Sequence, residues 1–369
     1  MTAVLADLLG SDLPRTHGIA ETLTARLRGL IAGGALVPGT MLPSSRRLAD
    51  DLEVSRNTVT AAVDRLAAEG YLVVRQGCRP VVAPGTGLAG SASGRPPAGA
   101  SATPHLSAWA AALPPVPAPA TLRPFRTGFG DPREFPHAAW ARCLRDAARR
   151  NPAGPPFVGN APALQASLRD HLAAQRGVRA EPDQVVILPT ARAALTLVAA
   201  LFLDPGDPAW IEEPGYPGIR EALAAAGARI VPVPVDAHGL TLPRDGPAPR
   251  LVVVTPSHQF PTGCLMPVAR RHDLLRAADA VGALILEDDY DGEFHFDGAP
   301  VPALQALTGA DRVVYAGTFA KATSPAVRVG YMVVPRSLVP VALAAQRHLG
   351  LTAAPQVQEA LALFLGRGL

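Results

Sequence analysis

The stretch QVVILPTARAALTLVAALF, residues 184–202, decides the fold. It opens with a short apolar run, QVVIL, of the length and β-branched character of a buried strand. A Pro-Thr turn follows, and residues 191–202 then space their apolar side chains as a helix does. A strand running straight into a helix is half of a βαβ unit, and the same alternation continues along the chain. PAWIEE (208–213), ARIVPVPV (228–235), PRLVVVTP (249–256), GALILEDD (282–289), DRVVYAG (311–317) and VGYMVVP (329–335) read as strands. YPGIREALAAAG (216–227) and VARRHDLLRAADAVG (268–282) read as helices between them. This alternation predicts an α/β domain built on a mostly parallel sheet, over residues 125–369.

Upstream, residues 85–124 are rich in Gly, Ser, Ala and Pro and carry little periodicity, as a linker does. Leu106, Trp109 and Leu113 give it one apolar cluster able to dock. Residues 11–84 form a separate module. Ile19, Leu23, Leu27, Leu30 and Ile31 repeat with helical spacing until Gly33 and Gly34. Two shorter helices follow, the first capped by Ser44 or Ser45 and the second by Ser55, with Gly70 closing the pair. The runs YLVV and PVVA then flank the polar turn RQGCR as a β-hairpin.

The chain has 369 residues, is 48% hydrophobic and carries a net charge of +3, so overall charge selects no partner. Cys78, Cys143 and Cys264 lie far apart without CxxC spacing, as reduced thiols do in a cytoplasmic protein, and no metal-ligand spacing appears. No apolar run is long enough to span a membrane, and the N-terminus has no basic leader region. Of the 34 Lys and Arg residues, 33 are arginine, and the exception is Lys321. Scattered surface sites accept either cation. Only a lysine can lose its proton and condense with a carbonyl.

Helix, paired helices and hairpin make the winged helix-turn-helix arrangement, whose second paired helix enters the major groove of double-stranded DNA. LPSSRRLADDLEVSRNTVTAAVDRLAAEGYLVVRQG (residues 42–77) closely resembles the GntR family of bacterial transcription regulators. That resemblance implies DNA contacts at Ser44, Arg46, Ser55, Arg56, Asn57, Thr58 and Thr60, with Gly77 at the wing tip. The chain departs from the family pattern in two places: Glu53 stands where the inter-helix turn usually has Gly, and Arg79 replaces a second wing glycine.

If Lys321 forms an imine, pyridoxal 5′-phosphate is the natural partner. It requires a phosphate cradle, a carboxylate for the ring nitrogen and a donor for the phenolic oxygen. Thr318 and Arg328 flank the lysine and suit a phosphate dianion. The backbone N–H groups of Ala191 and Arg192 open a helix and can meet the same group. Asp288, Asp289 and Tyr290 end one strand, and Tyr216 follows another. Singly, each has an ordinary structural reading; in one order around one lysine, they point to one chemistry.

Residues 125–369 resemble fold-type I aminotransferases. TPSHQFPTG, ILEDDYDGEF and GTFAKATSPAVRVGY are similar to the MocR subgroup, which fuses a GntR winged helix to such a domain. The resemblance implies Lys321 as the cofactor-bearing lysine, Asp288 at the ring nitrogen with Asp289 as the alternate, and Tyr290 at the phenolic oxygen. It also implies Thr318 and Arg328 at the phosphate and Tyr216 on the ring. Ala320 replaces a customary Ser, Thr190 and Arg192 alter the cradle, and Phe260 replaces an Asn. His258 is read as a structural histidine. The chain stops where the family continues into a small C-terminal subdomain, which is expected to be missing. The function implied is a cytoplasmic, homodimeric regulator that binds DNA and senses pyridoxal phosphate or an amino-acid-like effector. The alternative is an aminotransferase with an appended DNA-binding domain.

Overall fold

The structure is a computed structural model that describes residues 9, 18–86, 105–111, 113, 131, 133–150, 159–294, 301–307 and 311–369. The chain divides into two compact units, Met1–His105 and Leu106–Leu369. Residues 11–17 and most of the expected linker lie outside the described residues. Within that linker Ala108–Ala111 forms one helical turn, and Leu106, Trp109 and Leu113 are exposed. No helix among the described residues is long and apolar enough to cross a membrane.

In the first unit, helices α1 (Ile19–Ala32), α2 (Ser45–Asp51) and α3 (Arg56–Ala68) precede the antiparallel pair β1 (Leu72–Val73) and β2 (Val81–Val82). Leu23, Leu27 and Ile31 of α1 bury against Leu48 of α2 and Val59, Val63 and Leu66 of α3. Ser44, rather than Ser45, caps α2 by accepting from the Arg47 N–H at 3.3 Å. Ser55 caps α3 through the Thr58 N–H at 3.1 Å. Between the two helices Glu53 sits at φ 53, the left-handed region that glycine occupies freely. A side chain there costs roughly 1 kcal/mol.

In the second unit eight strands run in the order β3-β10-β9-β8-β7-β4-β5-β6. They are β3 (Val185–Leu188), β4 (Pro208–Glu213), β5 (Arg229–Asp236), β6 (Gly239–Leu240), β7 (Leu251–Val254), β8 (Leu284–Asp289), β9 (Val313–Thr318) and β10 (Gly330–Val333). From β9 through β8, β7 and β4 to β5 the pairing is parallel. β10 is antiparallel to both β9 and β3, and β6 is antiparallel to β5. Helices α4 (His137–Arg150), α5 (Pro162–Arg176), α6 (Ala191–Phe202), α7 (Pro217–Ala225), α8 (Val268–Val281), α9 (Val339–His348) and α10 (Pro355–Gly366) cover the sheet. The front face packs Val186, Leu286, Val314 and Met332 against α6, α7 and α9. Ile187, Tyr315 and Tyr331 meet α4, α5 and α10 on the rear face, where Ile285 and Val313 meet α8. Both faces being covered explains why these strands read as unbroken apolar runs.

Candidate functional site

Parallel strands end together, so the residues that follow them share one edge. The ends of β3, β4, β7, β8 and β9 carry, in turn, the Thr190–Arg192 turn, Tyr216, the Ser257–Phe260 loop, Asp288 to Asp291, and Lys321. Because β10 runs the other way, its beginning lies at this edge and brings Arg328 there. Thus Lys321, Asp288, Tyr290, Thr318, Arg328, Tyr216, Ala191 and Arg192 all fall on one rim, the usual position of ligands in α/β sheets.

Alternation along β8 separates its acidic residues. Glu287 and Asp289 point to the rear and Asp288 to the front. Asp289 is engaged: the Arg176 Nε–H donates to its Oδ2 at 2.8 Å, and the Tyr315 hydroxyl donates to the same oxygen. Glu287 accepts the backbone N–H groups of Leu304 and Gln305 at 2.8 and 3.0 Å. Asp288 is buried, and its Oδ1 has no hydrogen-bond partner. Burial, then the charges of Asp289, Glu212 and Asp291, push its carboxyl up to about 7, while Lys321 pulls the other way. Glu287 is likewise pushed up to about 7, chiefly by burial.

Phe260 stands between two tyrosines, its ring 5.7 Å from Tyr216 and 6.1 Å from Tyr290, edge-on to both. Burial raises the Tyr290 phenol well above its ordinary range, and the neighbouring Asp291 adds to this. His258 Nδ1 lies 3.1 Å from an Asp291 oxygen, so this histidine borders the site. Tyr216 precedes α7 and contacts Arg192, which also pairs with Glu221 at 2.9 Å. At the opening of α6 the Thr190 hydroxyl accepts the Ala193 N–H at 3.1 Å. The Ala191 and Arg192 N–H groups of the first turn have no acceptor within the helix. Gly330 lets β10 approach this turn: a Cβ there would lie 2.5 Å from the Thr190 carbonyl carbon. Thr318 Oγ1 accepts the Ala320 N–H at 3.1 Å, Lys321 is half-buried, and Arg328 is exposed. Arg328 sits at φ 49, a strained setting of the kind that collects at functional sites.

Sequence reasoning missed Glu212 and Arg176. Glu212 is buried at the end of β4 and accepts the Thr255 hydroxyl at 2.5 Å, and its Oε1 has no partner. Arg176 ends α5, and no local pattern marks it as belonging to this edge.

On the first unit, Arg46, Arg56, Asn57 and Thr60 are exposed along α2 and α3. Ser44 and Ser55 serve as caps, and the Ser55 and Thr58 hydroxyls lie 2.7 Å apart, so these side chains hold the first turn in shape. Gly77 is exposed at φ 76 in the hairpin turn, beside Arg75 and Arg79.

Residues 19–82 match the model of bacterial regulatory proteins of the gntR family, and residues 129–366 match aminotransferase class I and II. The chain is 40% identical over 365 residues to the probable rhizopine catabolism regulatory protein MocR of Rhizobium meliloti, covering 97% of this chain and 73% of the relative. It is 35% identical over 369 residues to the pyridoxine biosynthesis transcriptional regulator PdxR of Corynebacterium glutamicum, covering 99% and 77%. Among solved structures, the alpha-aminoadipate aminotransferase LysN of Thermus thermophilus, complexed with N-(5′-phosphopyridoxyl)-L-leucine, superposes with a TM-score of 0.58 at 30% identity. That match covers 65% of this chain and 63% of LysN, so the chain spans less than two thirds of the solved enzyme. A gntR-type helix-turn-helix followed by a class I and II aminotransferase domain, at this identity to MocR, places the chain in the MocR-type group of GntR transcription regulators.

Proposed function

We propose that this regulator binds pyridoxal 5′-phosphate at the sheet edge and reads double-stranded DNA with α3 and the wing. On this reading it acts as a homodimer whose DNA affinity follows the state of the cofactor or of an amino-acid-like effector. The observation that carries the reading is Asp288: a buried carboxyl with an unpartnered oxygen, on the rim shared with the chain's lone lysine. An unpaired buried carboxylate is costly unless a ligand completes it.

The residues present fit the group. Asp288 would hold a protonated ring nitrogen, Lys321 would offer its amine, and Tyr290 its hydroxyl. Thr318, Arg328 and the α6 N–H groups of Ala191 and Arg192 would hold the phosphate. When bound, the cofactor supplies an aldehyde for the lysine and a ring that withdraws electrons. Tyr216 and Phe260 would wall the ring on one side and keep water away. On the DNA side, Arg46 and Arg56 suit phosphate or guanine, and Asn57 and Thr60 suit base edges or phosphate. Ser44, Ser55 and Thr58 would act through the caps that shape this turn.

The test is an absorbance titration of the purified full chain with pyridoxal phosphate, alongside Lys321→Ala. A visible band present in the wild type and lost in the variant supports the reading; its absence in the wild type overturns it. The second reading, a working transaminase, is favoured by the 36% identity over 212 residues to a 2-aminoadipate transaminase of Thermus thermophilus. Sustained turnover across an amino-acid panel would establish it.

A further inference from the structure

Behind the rim lies a second, buried polar cluster that the proposed cofactor site does not use. Arg176 is 4% exposed. Its Nε–H donates to Asp289 at 2.8 Å, and its Nη2 donates to the Ser257 hydroxyl at 2.6 Å. The Tyr315 hydroxyl donates to the same Asp289 oxygen, and the Tyr331 ring stacks on Tyr315 at 6.4 Å. One guanidinium from α5 therefore ties together the ends of β7 and β8 and the body of β9. Gly292 lies over the Asp289 carboxylate so closely that a Cβ there would come within 2.4 Å of an oxygen.

Each tied element carries rim residues close by in sequence. Asp288 precedes Asp289, His258 and Phe260 follow Ser257, and Thr318 and Lys321 follow Tyr315 along the chain. Adjacent residues on a strand face opposite ways, so fixing the Asp289 side chain fixes the backbone angles that aim Asp288. The fork geometry of arginine supplies two directed bonds where lysine would supply a point charge. A pair this deeply buried contributes little net stability compared with apolar packing.

We propose that Arg176 is a positioning residue for the cofactor acid: through Asp289, Tyr315 and Ser257 it fixes the aim of Asp288 and of the loop bearing Phe260. The proposal rests on the cofactor reading above. It adds that the acid is aimed from the rear face of the sheet, by a residue that does not touch the ligand. Neutralising Asp289 is a second consequence, since the Asp289 charge is one of those bearing on Asp288. The others are Glu212 from β4, Asp291 from the following loop and Lys321 beyond β9.

The test compares the full-length wild type with Arg176→Met, Arg176→Lys and the double variant Arg176→Met/Asp289→Leu. Each is titrated with pyridoxal phosphate, followed by absorbance across pH, and melted without ligand. The single Met variant leaves a buried charge unpaired, so it melts lower and binds at least about tenfold more weakly. The double variant restores melting by apolar packing, yet keeps the weakened binding and a shifted absorbance–pH profile. The Lys variant lies between the wild type and Arg176→Met in affinity. Recovery of affinity and profile together with melting in the double variant overturns the proposal, because Arg176 would then be structural only. So does wild-type affinity in Arg176→Met. A wild type that binds no pyridoxal phosphate sinks the cofactor reading and this proposal with it; intact wild-type binding with unaltered variants sinks this proposal alone.

Discussion

Asp288→Asn makes the strongest demand on the electrostatics of the site. Asp288 is buried and pushed up to about 7 from an ordinary 3.8. Its raised folded value means that the folded state prefers the protonated acid. The stability it contributes is complete below about pH 4 and is lost as pH rises through about 7. A gap of about three pH units corresponds to on the order of 4 kcal/mol when the group is fully ionised. For a unit of this size that is a shift of about 10 °C in melting temperature. The asparagine variant is neutral at every pH, so it escapes the loss. Glu287 is raised by the same burial, but it is present in both proteins and drops out of the difference. Calorimetry without added ligand is expected to show the variant gaining on the wild type as pH rises from about 4 to 7, with the difference levelling off above about 7. Any packing effect of the amide adds a constant offset at both pH values. A difference that stays constant across this range, or that narrows as pH rises, would refute the claim that Asp288 ionises at a cost in the ligand-free site. The same variant should bind pyridoxal phosphate more weakly, so stability and binding should move in opposite directions.

Other substitutions test the frame around the site. Gly330→Ala would set a methyl 2.5 Å from the Thr190 carbonyl carbon and 2.6 Å from the Ala191 nitrogen, both backbone atoms. It should cost about 1–3 kcal/mol in chemical denaturation of the second unit and weaken cofactor binding through the displaced α6 turn. Glu53→Gly relieves a side chain held at φ 53 and should stabilise the first unit by roughly 0.5 kcal/mol, part of the strain relief being offset by the freer unfolded chain. Arg56→Ala should weaken DNA binding at all sequences if it holds phosphate, and lower the slope of log affinity against log salt by about one. An unchanged slope with altered sequence preference would assign it to base reading instead.

The strands and central helices were legible because burial on both faces leaves little choice of residue. QVVIL and ARAALTLVAALF each fell within a residue of the observed β3 and α6. The rim was legible for the same reason: chemistry at strand ends follows the strands. The doublet Asp288–Asp289 was not. Its two members differ only in the face they occupy, and the partner that engages Asp289 is Arg176, on a helix far upstream. Glu212 escaped notice because an acid near a strand end usually faces water, whereas this one folds under the Thr255 hydroxyl. Glu53 showed the reverse case. The resemblance puts a glycine at this turn, and the backbone adopts the left-handed conformation that glycine favours with the Glu53 side chain in place.

The antiparallel position of β10 bears on when this unit can form during synthesis. Among the described residues β3 pairs only with β10, which follows it in sequence after β4 through β9. On the ribosome, β3 and the α6 turn emerge early and wait unpaired while β4 through β9 are made. Only when β10 clears the exit tunnel can it insert between β9 and β3, bringing Arg328 and the α6 turn to the same rim. Such long-range closure is slow and leaves an apolar edge open meanwhile. Nascent chains stalled before β10 should therefore be protease-sensitive at β3, and should acquire any capacity for the cofactor in one late step rather than strand by strand.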